Sequence, residues 1–103
     1  MKKFILSAVI FVSPAYANWD DPNKPFSAIK NIHDTVNITW RPVTNVQKVC
    51  EAESKKRGHL GFGYAVDACS FWEGNACTII TSRNPTMHSL GHEVRHCFQG
   101  NWH

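Results

Sequence analysis

The alternation of apolar and polar residues predicts a short strand in the first half of the chain. Val36, Ile38 and Trp40 alternate with polar side chains, a pattern typical of a half-buried strand, and Pro42 marks its end. Residues 18–34 are instead rich in Asp, Asn and Pro, and they are expected to form an irregular surface arm. Regular structure is therefore predicted to begin near residue 36.

A helix is predicted directly after this strand. Val46, Val49 and Cys50 repeat at helical spacing, and Thr44 precedes them as a candidate N-cap. Gly58 follows the basic last turn and is a typical helix stop. We expect the apolar stripe of this helix to pack inward.

The period then changes to two, which predicts a hairpin. Residues 61–72 alternate and are rich in aromatic side chains, with the alternation clearest at Phe62, Tyr64 and Val66. Glu73, Gly74 and Asn75 form a typical turn sequence, and residues 76–82 carry the branched side chains that favour a strand.

A second helix is predicted near the end of the sequence. Asn84 and Pro85 are expected to open it, with Pro85 in the first helical position, and Gly100 is expected to close it. The order strand, helix, two strands, helix predicts an α+β fold. In this fold a short mixed or antiparallel sheet packs on two helices.

The first residues have the pattern of a bacterial signal peptide. Lys2 and Lys3 precede an apolar run over residues 4–12, and Ala15 to Ala17 resembles a cleavage site. The run is shorter than the roughly 20 residues that span a bilayer as a helix. We therefore predict a signal peptide at 1–17, no stable membrane insertion, and export of residues 18–103 to the periplasm or the medium.

Size and charge limit the function classes. Cleavage after residue 17 would leave 86 of the 103 residues, which is enough for one domain. Removal of Lys2 and Lys3 leaves nine of the 11 basic side chains against eight acidic ones. The only basic cluster is 55–57, so nucleic acid is not an expected partner. Oligomeric state is not predicted.

Four cysteines lie in the expected mature chain, and an even number in a small exported domain predicts two disulfides. Cys69 and Cys77 flank the predicted turn, which favours a bridge between them and leaves Cys50 to pair with Cys97. Sequence alone allows three pairings. A cysteine-ligated zinc site is disfavoured because no Cys-x-x-Cys spacing occurs.

The last helix has one chemical face and one packing face. Residues four apart lie on one side of a helix, so His92 and His96 can present their imidazoles to one ion. Glu93 lies one residue further round, beside that ion. The opposite side is apolar and is formed by Leu90, Val94, Cys97 and Phe98.

Residues 92–96, His-Glu-Val-Arg-His, resemble the HExxH signature of the zincin family of zinc metallopeptidases. The resemblance implies a zincin-like domain over residues 18–103, bound Zn²⁺, and hydrolysis of a peptide or protein substrate. It also implies that His92 and His96 are metal ligands and that Glu93 is the general base of catalysis. In such enzymes the strand before the helix commonly lines the cleft and pairs with an extended substrate, a role that Thr78 to Thr81 could take here.

The third ligand departs from the spacing of the family, because the chain reads HExxHxxxGxxH with Gly100 and His103 one residue late. A catalytic zinc site needs about three protein ligands and an open position. Gly100 can turn the chain back, and the seven residues from His96 to His103 extend to about 23 Å, so His103 can reach the ion.

Other histidines are weaker candidates. His88 would lie roughly 12 Å from His96 along a straight helix, so the two cannot share one ion with His92. His33 and His59 are alternatives in predicted loops. Two alternatives to an enzyme stay open, namely a zinc-binding module without catalysis and a metal-free, disulfide-stabilised interaction protein.

Overall fold

The computed structural model describes residues 24–103, and the predicted signal peptide and mature start at Asn18 lie outside them. Five regular elements follow a short 3-10 turn at Ala28–Lys30. They are β1 (Asn37–Pro42), α1 (Val46–Lys56), β2 (Ala68–Glu73), β3 (Ala76–Thr81) and α2 (Met87–Gln99). The predicted order of elements and the α+β class are confirmed.

The three strands form one mixed sheet in the order β1-β3-β2. β1 pairs with β3 in parallel, and β2 pairs with β3 antiparallel through a two-residue turn at Gly74 and Asn75. Gly74 has a φ of 60°, a conformation that glycine adopts without strain. The hairpin prediction is therefore confirmed, and it places β3 in the centre of the sheet.

The two helices pack on opposite faces of this sheet. Ile80 packs with Val46 and Val49 of α1, whereas its neighbour Ile79 packs with Leu90 and Val94 of α2. Successive strand residues point to opposite faces, so two adjacent isoleucines serve two separate cores. Both are completely buried, and each contributes about 2 kcal/mol through removal of apolar surface from water.

Each disulfide joins one helix to the face on which it packs. Cys50 of α1 bonds to Cys69 of β2, and Cys77 of β3 bonds to Cys97 of α2. The predicted pairing of Cys69 with Cys77 and of Cys50 with Cys97 was wrong. Across the hairpin Cys69 is opposite Ile80, so Cys69 and Cys77 point to different faces.

The presence of two disulfides is confirmed, and it indicates an oxidising, exported environment. Across residues 24–103, neither helix has the length and apolar character needed to cross a membrane.

Three local predictions need correction. The helix caps are Asn45 and Thr86, because their side chains accept hydrogen bonds from the backbone N–H groups of Lys48 and Ser89. α1 therefore begins one residue later than predicted from Thr44, and α2 begins two residues later than predicted from Pro85. Gly58 and Gly100 end them as predicted, both with positive φ.

The alternating segment at 61–67 is a loop rather than a strand. Gly61 and Gly63 have positive φ values of 91° and 73°, which interrupt an extended backbone. Phe62 and Val66 still pack onto the core on the α1 face. The alternation thus predicted the packing of Phe62 and Val66, but the strand was wrong and Tyr64 is 64 % exposed.

β1 is more exposed than the predicted half-buried strand. Ile38 is 41 % exposed and Trp40 49 % exposed, because α2 packs mainly on β2 and β3 and leaves this edge of the sheet uncovered. The arm before β1 is irregular as predicted where it is described. It packs along α2, with the Ile32 N–H donating to the Phe98 carbonyl at 2.8 Å.

Candidate metal centre

The central feature of the site is the pair of histidines on α2. His92 and His96 are four residues apart, and their ring centroids lie 5.0 Å from each other. α2 extends from the N-cap Thr86 to the C-cap Gly100. Both histidines therefore lie within regular helix, which fixes their spacing. The predicted arrangement of two imidazoles on one helix face is confirmed.

The tail after α2 turns back onto the same face. Gly100 has a φ of 66° and a ψ of −133°, outside the regions that other residues adopt readily. Its carbonyl accepts the Trp102 N–H at 3.0 Å. This turn brings the ring centroid of His103 to 5.0 Å from His92 and 4.7 Å from His96.

The three predicted ligands therefore meet at one point. His92, His96 and His103 each offer a ring nitrogen, and these atoms all lie within 4.8 Å of one another, close enough to hold a metal ion. Nε2 of His96 and Nε2 of His103 are 2.9 Å apart. Two nitrogens on a tetrahedral zinc would lie roughly 3.3 Å apart, so little movement is needed.

Hydrogen bonds orient two of these rings for metal binding. Nδ1 of His96 donates to the Gly100 carbonyl at 2.7 Å. Burial lowers the pKa of His103. A hydrogen bond from the ring to its own backbone oxygen opposes this effect but is smaller, so the net pKa is lowered. Because Nδ1 of neutral His96 is the donor to Gly100, its Nε2 presents a lone pair toward His103, and this is the nitrogen that could bind an ion.

Burial keeps the helix histidines neutral. It lowers the pKa of His92 to about 3 and that of His96 to about 4, and neighbouring positive charge adds to the effect. Neutral imidazole is the form that binds metals. His96 is 8 % exposed, while His103 is exposed, so the cluster opens to solvent on the side of the tail.

Glu93 lies beside the cluster in a buried position. It is 7 % exposed, and its Oε1 accepts a hydrogen bond from the Ser70 hydroxyl at 2.8 Å. Burial raises the pKa of Glu93 to about 7, and the Ser70 hydrogen bond opposes that rise. At neutral pH this carboxyl group can therefore both accept and release a proton.

β2 forms one wall of the site. Ser70 and Trp72 are two residues apart, so they share the sheet face toward α2. Ser70 contacts Glu93, and the Trp72 ring stacks on His96 with 5.5 Å between centroids and 10° between planes. The sequence analysis did not identify Ser70 or Trp72 as neighbours of the histidines. The alternation of side chains along a strand nevertheless places the two residues on one face.

The substrate role predicted for Thr78 to Thr81 is wrong. These residues belong to β3, which is hydrogen-bonded to β1 on one side and β2 on the other. A central strand has no unpaired backbone edge to offer a peptide. Within residues 24–103, the outer edge of β2 pairs with no other strand. Of the unpaired strand edges, it is the one nearest the histidines.

The other candidates lie outside the cluster. His88 is in the first turn of α2, where its charge contributes to lowering the pKa of His92. His33 and His59 lie in the arm and in the loop after α1. Tyr64 is 64 % exposed and packs on Phe62, with the core on the α1 face. The described residues contain one metal-binding group of this kind, the three histidines.

A separate hollow of about 520 Å³ lies at the N-terminal ends of both helices. Most of its lining residues are polar, including Thr44, Asn45, Ser82 and Thr86. Two of these side chains already accept the helix-capping hydrogen bonds. None of the three histidines borders this hollow.

Comparison with known proteins adds no family. No protein-family model, curated protein or solved structure matches this chain. The function must therefore be inferred from the chemistry of the residues that the fold brings together.

Proposed function

We propose that this chain is a zinc-dependent peptidase or amide hydrolase with a zincin-like domain. His92, His96 and His103 would hold the ion, and Glu93 would act as the general base. The observation that carries the proposal is the convergence of three imidazole nitrogens within 4.8 Å, with a buried glutamate, Glu93, in the residue that follows His92 on α2. The HExxH spacing of residues 92–96 agrees with this set of roles.

Three protein ligands suit a catalytic rather than a purely structural zinc site. Structural sites use four protein ligands, whereas catalytic sites use three and keep one position for water or substrate. The described residues supply three histidines to the cluster and no fourth ligand. A bound zinc ion would lower the pKa of a water molecule in that position and polarise a substrate carbonyl.

The environment of Glu93 supports a role in proton transfer. A general base works best when its pKa is close to the working pH, and burial raises the pKa of Glu93 to about 7. Ser70 donates to one oxygen of the carboxyl group and so fixes the side chain. In hydrolysis Glu93 would take a proton from the attacking water and pass it to the leaving amine.

The substrate side of the site is formed by β2. Its side chains Ser70 and Trp72 contact Glu93 and His96, and no strand within residues 24–103 pairs with its outer edge. A peptide or protein substrate in extended conformation could add to this edge. Its backbone would then run past the histidine cluster.

The proposed place of action is the bacterial periplasm or the surrounding medium. The disulfides indicate an oxidising environment, and residues 1–17 have the pattern of a signal peptide.

The decisive variants are Glu93→Gln and His96→Ala in the oxidised, purified chain. Glu93→Gln should bind one zinc ion per chain and lose about 10²- to 10⁴-fold in hydrolysis of a fluorogenic peptide library. His96→Ala should lose both metal and activity. Asp34→Asn and His59→Ala are matched controls, since both residues are outside the cluster and outside β2 and both side chains lie in loops, and they should leave both properties unchanged.

A second candidate is a zinc-binding module without catalysis, in which the ion fixes the tail to α2. The packing of the tail on α2 favours this role, because the ring centroids of His103 and Trp102 lie 4.7 Å and 5.3 Å from that of His96 and an ion would hold them there. Stoichiometric zinc with no hydrolysis of peptides or cell-wall fragments would support it. A chain that binds no zinc would instead support a disulfide-stabilised interaction protein.

A further inference from the structure

Arg95 is a buried cation inside the signature helix. It is 6 % exposed, and no carboxylate within residues 24–103 forms an ion pair with it. Its Nε donates to Oε1 of Gln99 at 2.9 Å, and its Nη1 donates to the Pro25 carbonyl at 3.3 Å. A buried charge is costly unless polar or aromatic groups surround it. Within residues 24–103, neutral groups fill that role for Arg95.

The main such contact is the indole of Trp102. The guanidinium carbon of Arg95 lies 3.9 Å from the ring centroid, a short cation-π stacking distance. Lys24 also approaches this ring, but at 5.8 Å and from an exposed position. The indole Nε1 is buried and has no hydrogen-bond partner among residues 24–103. Trp102 is therefore held by the faces of its ring rather than by its N–H group.

Trp102 connects Arg95 to the histidines. Its ring centroid lies 4.6 Å from that of His103, 4.9 Å from that of His92 and 5.3 Å from that of His96. His103 lies beyond the end of α2 at Gln99. Unlike His92 and His96, it is therefore not positioned by a helix or a strand. The packing of Trp102 restricts where the residue after it can lie.

The arm before β1 contacts Arg95 directly and through Gln99. Gln99, which accepts from Arg95, donates to the Ser27 carbonyl at 2.6 Å and to Oδ1 of Asn31 at 2.9 Å. The Phe26 ring lies 5.7 Å from the guanidinium. The guanidinium is thus held on one side by residues 25–31 and on the other by the tail.

We propose that Arg95 is a positioning residue for the metal centre, which stacks on Trp102 and thereby holds His103 against His96. The inference rests on the proposed function, since it assigns a task within that same site. It also gives a reason for a charged residue between the two helix ligands. The guanidinium acts through Trp102 and does not touch the ion.

The first test measures zinc affinity by competition with a chromophoric chelator and the ligand field of Co²⁺ by its visible spectrum. Arg95→Met should lower zinc affinity by about 10- to 100-fold and change the Co²⁺ spectrum to that of His103→Ala. Arg95→Lys should do the same, because an ammonium group lacks the planar stacking surface. Adding Arg95→Met to His103→Ala should cost no further affinity.

Arg41→Met is the matched control, since Arg41 is an arginine whose guanidinium pairs with Glu53 on the α1 side. It should leave affinity and spectrum unchanged. If Arg95→Met only lowers the melting temperature and the folded variant keeps the wild-type spectrum, Arg95 is merely structural and the inference is wrong. Trp102→Leu replaces Arg95→Met if the latter does not fold, and the same loss of affinity is expected.

A second test needs no metal. In the metal-free chain the Trp102 ring should shift the NMR signals of the His103 ring protons away from random-coil values. Arg95→Met and Trp102→Leu should abolish that shift, while Arg41→Met should preserve it. Retention of the shift in Arg95→Met would overturn the inference. If the wild-type chain binds no zinc, the proposed function fails, and this test still decides what Arg95 does.

Discussion

Nδ1 of His96 lies 2.7 Å from the carbonyl oxygen of Gly100, one helical turn later. The same carbonyl accepts the N–H of Trp102 at 3.0 Å. One acceptor therefore both fixes the tautomer of a buried ligand and turns the chain toward His103. The orientation of His96 and the position of the tail are coupled through Gly100.

Gly100→Ala is expected to damage the metal site more than the fold. A φ of 66° with a ψ of −133° is strained for alanine, with a cost of about 1 kcal/mol or more. An added Cβ would meet the Ile32 side chain at 3.5 Å and Nε1 of Trp72 at 3.9 Å, both ordinary contacts. Relief of the strain should move the tail and lower zinc affinity by about 10- to 100-fold.

Gly91→Ala is the control for this prediction, because the same substitution is made in the same helix. Gly91 is exposed, and an added Cβ would meet nothing within 4 Å. Alanine should stabilise the helix by about 0.5–1 kcal/mol and leave zinc affinity unchanged. Chelator competition and thermal unfolding measure both effects. Wild-type zinc affinity in Gly100→Ala would refute the coupling.

The ionisation of Glu93 should make stability depend on pH. Burial raises its pKa in the folded chain from an ordinary 4.5 to about 7. The folded chain then holds the proton more tightly than the unfolded chain, so this contribution is complete below pH 4.5 and is lost as pH rises through 7. At pH 8.5, Glu93→Gln should be more stable than the wild type by up to about 3 kcal/mol.

Denaturant unfolding of the metal-free, oxidised proteins between pH 4 and 9 checks this prediction. Glu93→Gln and wild type should have similar stability near pH 4, diverge above about pH 4.5 and reach a constant difference above about pH 7. In Ser70→Ala the loss should begin at the same pH but continue to higher pH, because the Ser70 hydrogen bond lowers the pKa of Glu93. A stability difference between Glu93→Gln and wild type that is constant across this range would count against a protonated, buried Glu93.

The two disulfides allow a matched test of whether zinc binding depends on the placement of α2. They close loops of nearly equal length, with sequence separations of 19 and 20, so each should stabilise the fold by about 3 kcal/mol. Only Cys97 lies on α2, next to His96. Replacing Cys77 and Cys97 by serine should therefore weaken zinc binding.

The paired variant without the Cys50–Cys69 bridge should lose similar stability and keep zinc affinity, because that bridge ties α1 to the opposite face of the sheet. Zinc titrations under conditions where both variants stay folded measure the difference. Equal loss of affinity in both would mean that global stability, rather than the placement of α2, controls the site.

Much of the site could be predicted because its determinants are local in sequence. Helical geometry alone places His92 and His96 on one face, and Gly100 is a residue type that permits the turn needed by His103. The structure brings these three histidines together as predicted. The hairpin followed from the turn residues Gly74 and Asn75, whose conformational preferences are equally local.

The missed features depend on packing between distant segments. The contacts of Arg95 with Pro25 and Trp102 join residues that no local pattern relates. The error at residues 61–67 arose because loop residues anchored by Phe62 and Val66 can mimic a strand's alternation. The disulfide pairing, by contrast, could have been excluded, since the register set by the predicted turn puts Cys69 and Cys77 on opposite faces.

The central claim is that three histidines of this chain bind one metal ion and leave a position open. Zinc-edge X-ray absorption of the oxidised, zinc-loaded chain tests it most directly. We predict one ion per chain with three imidazole nitrogens and one oxygen at about 2.0–2.1 Å, and two imidazoles in His103→Ala. Failure to bind stoichiometric zinc, or an absorption spectrum unchanged in His103→Ala, would contradict the account.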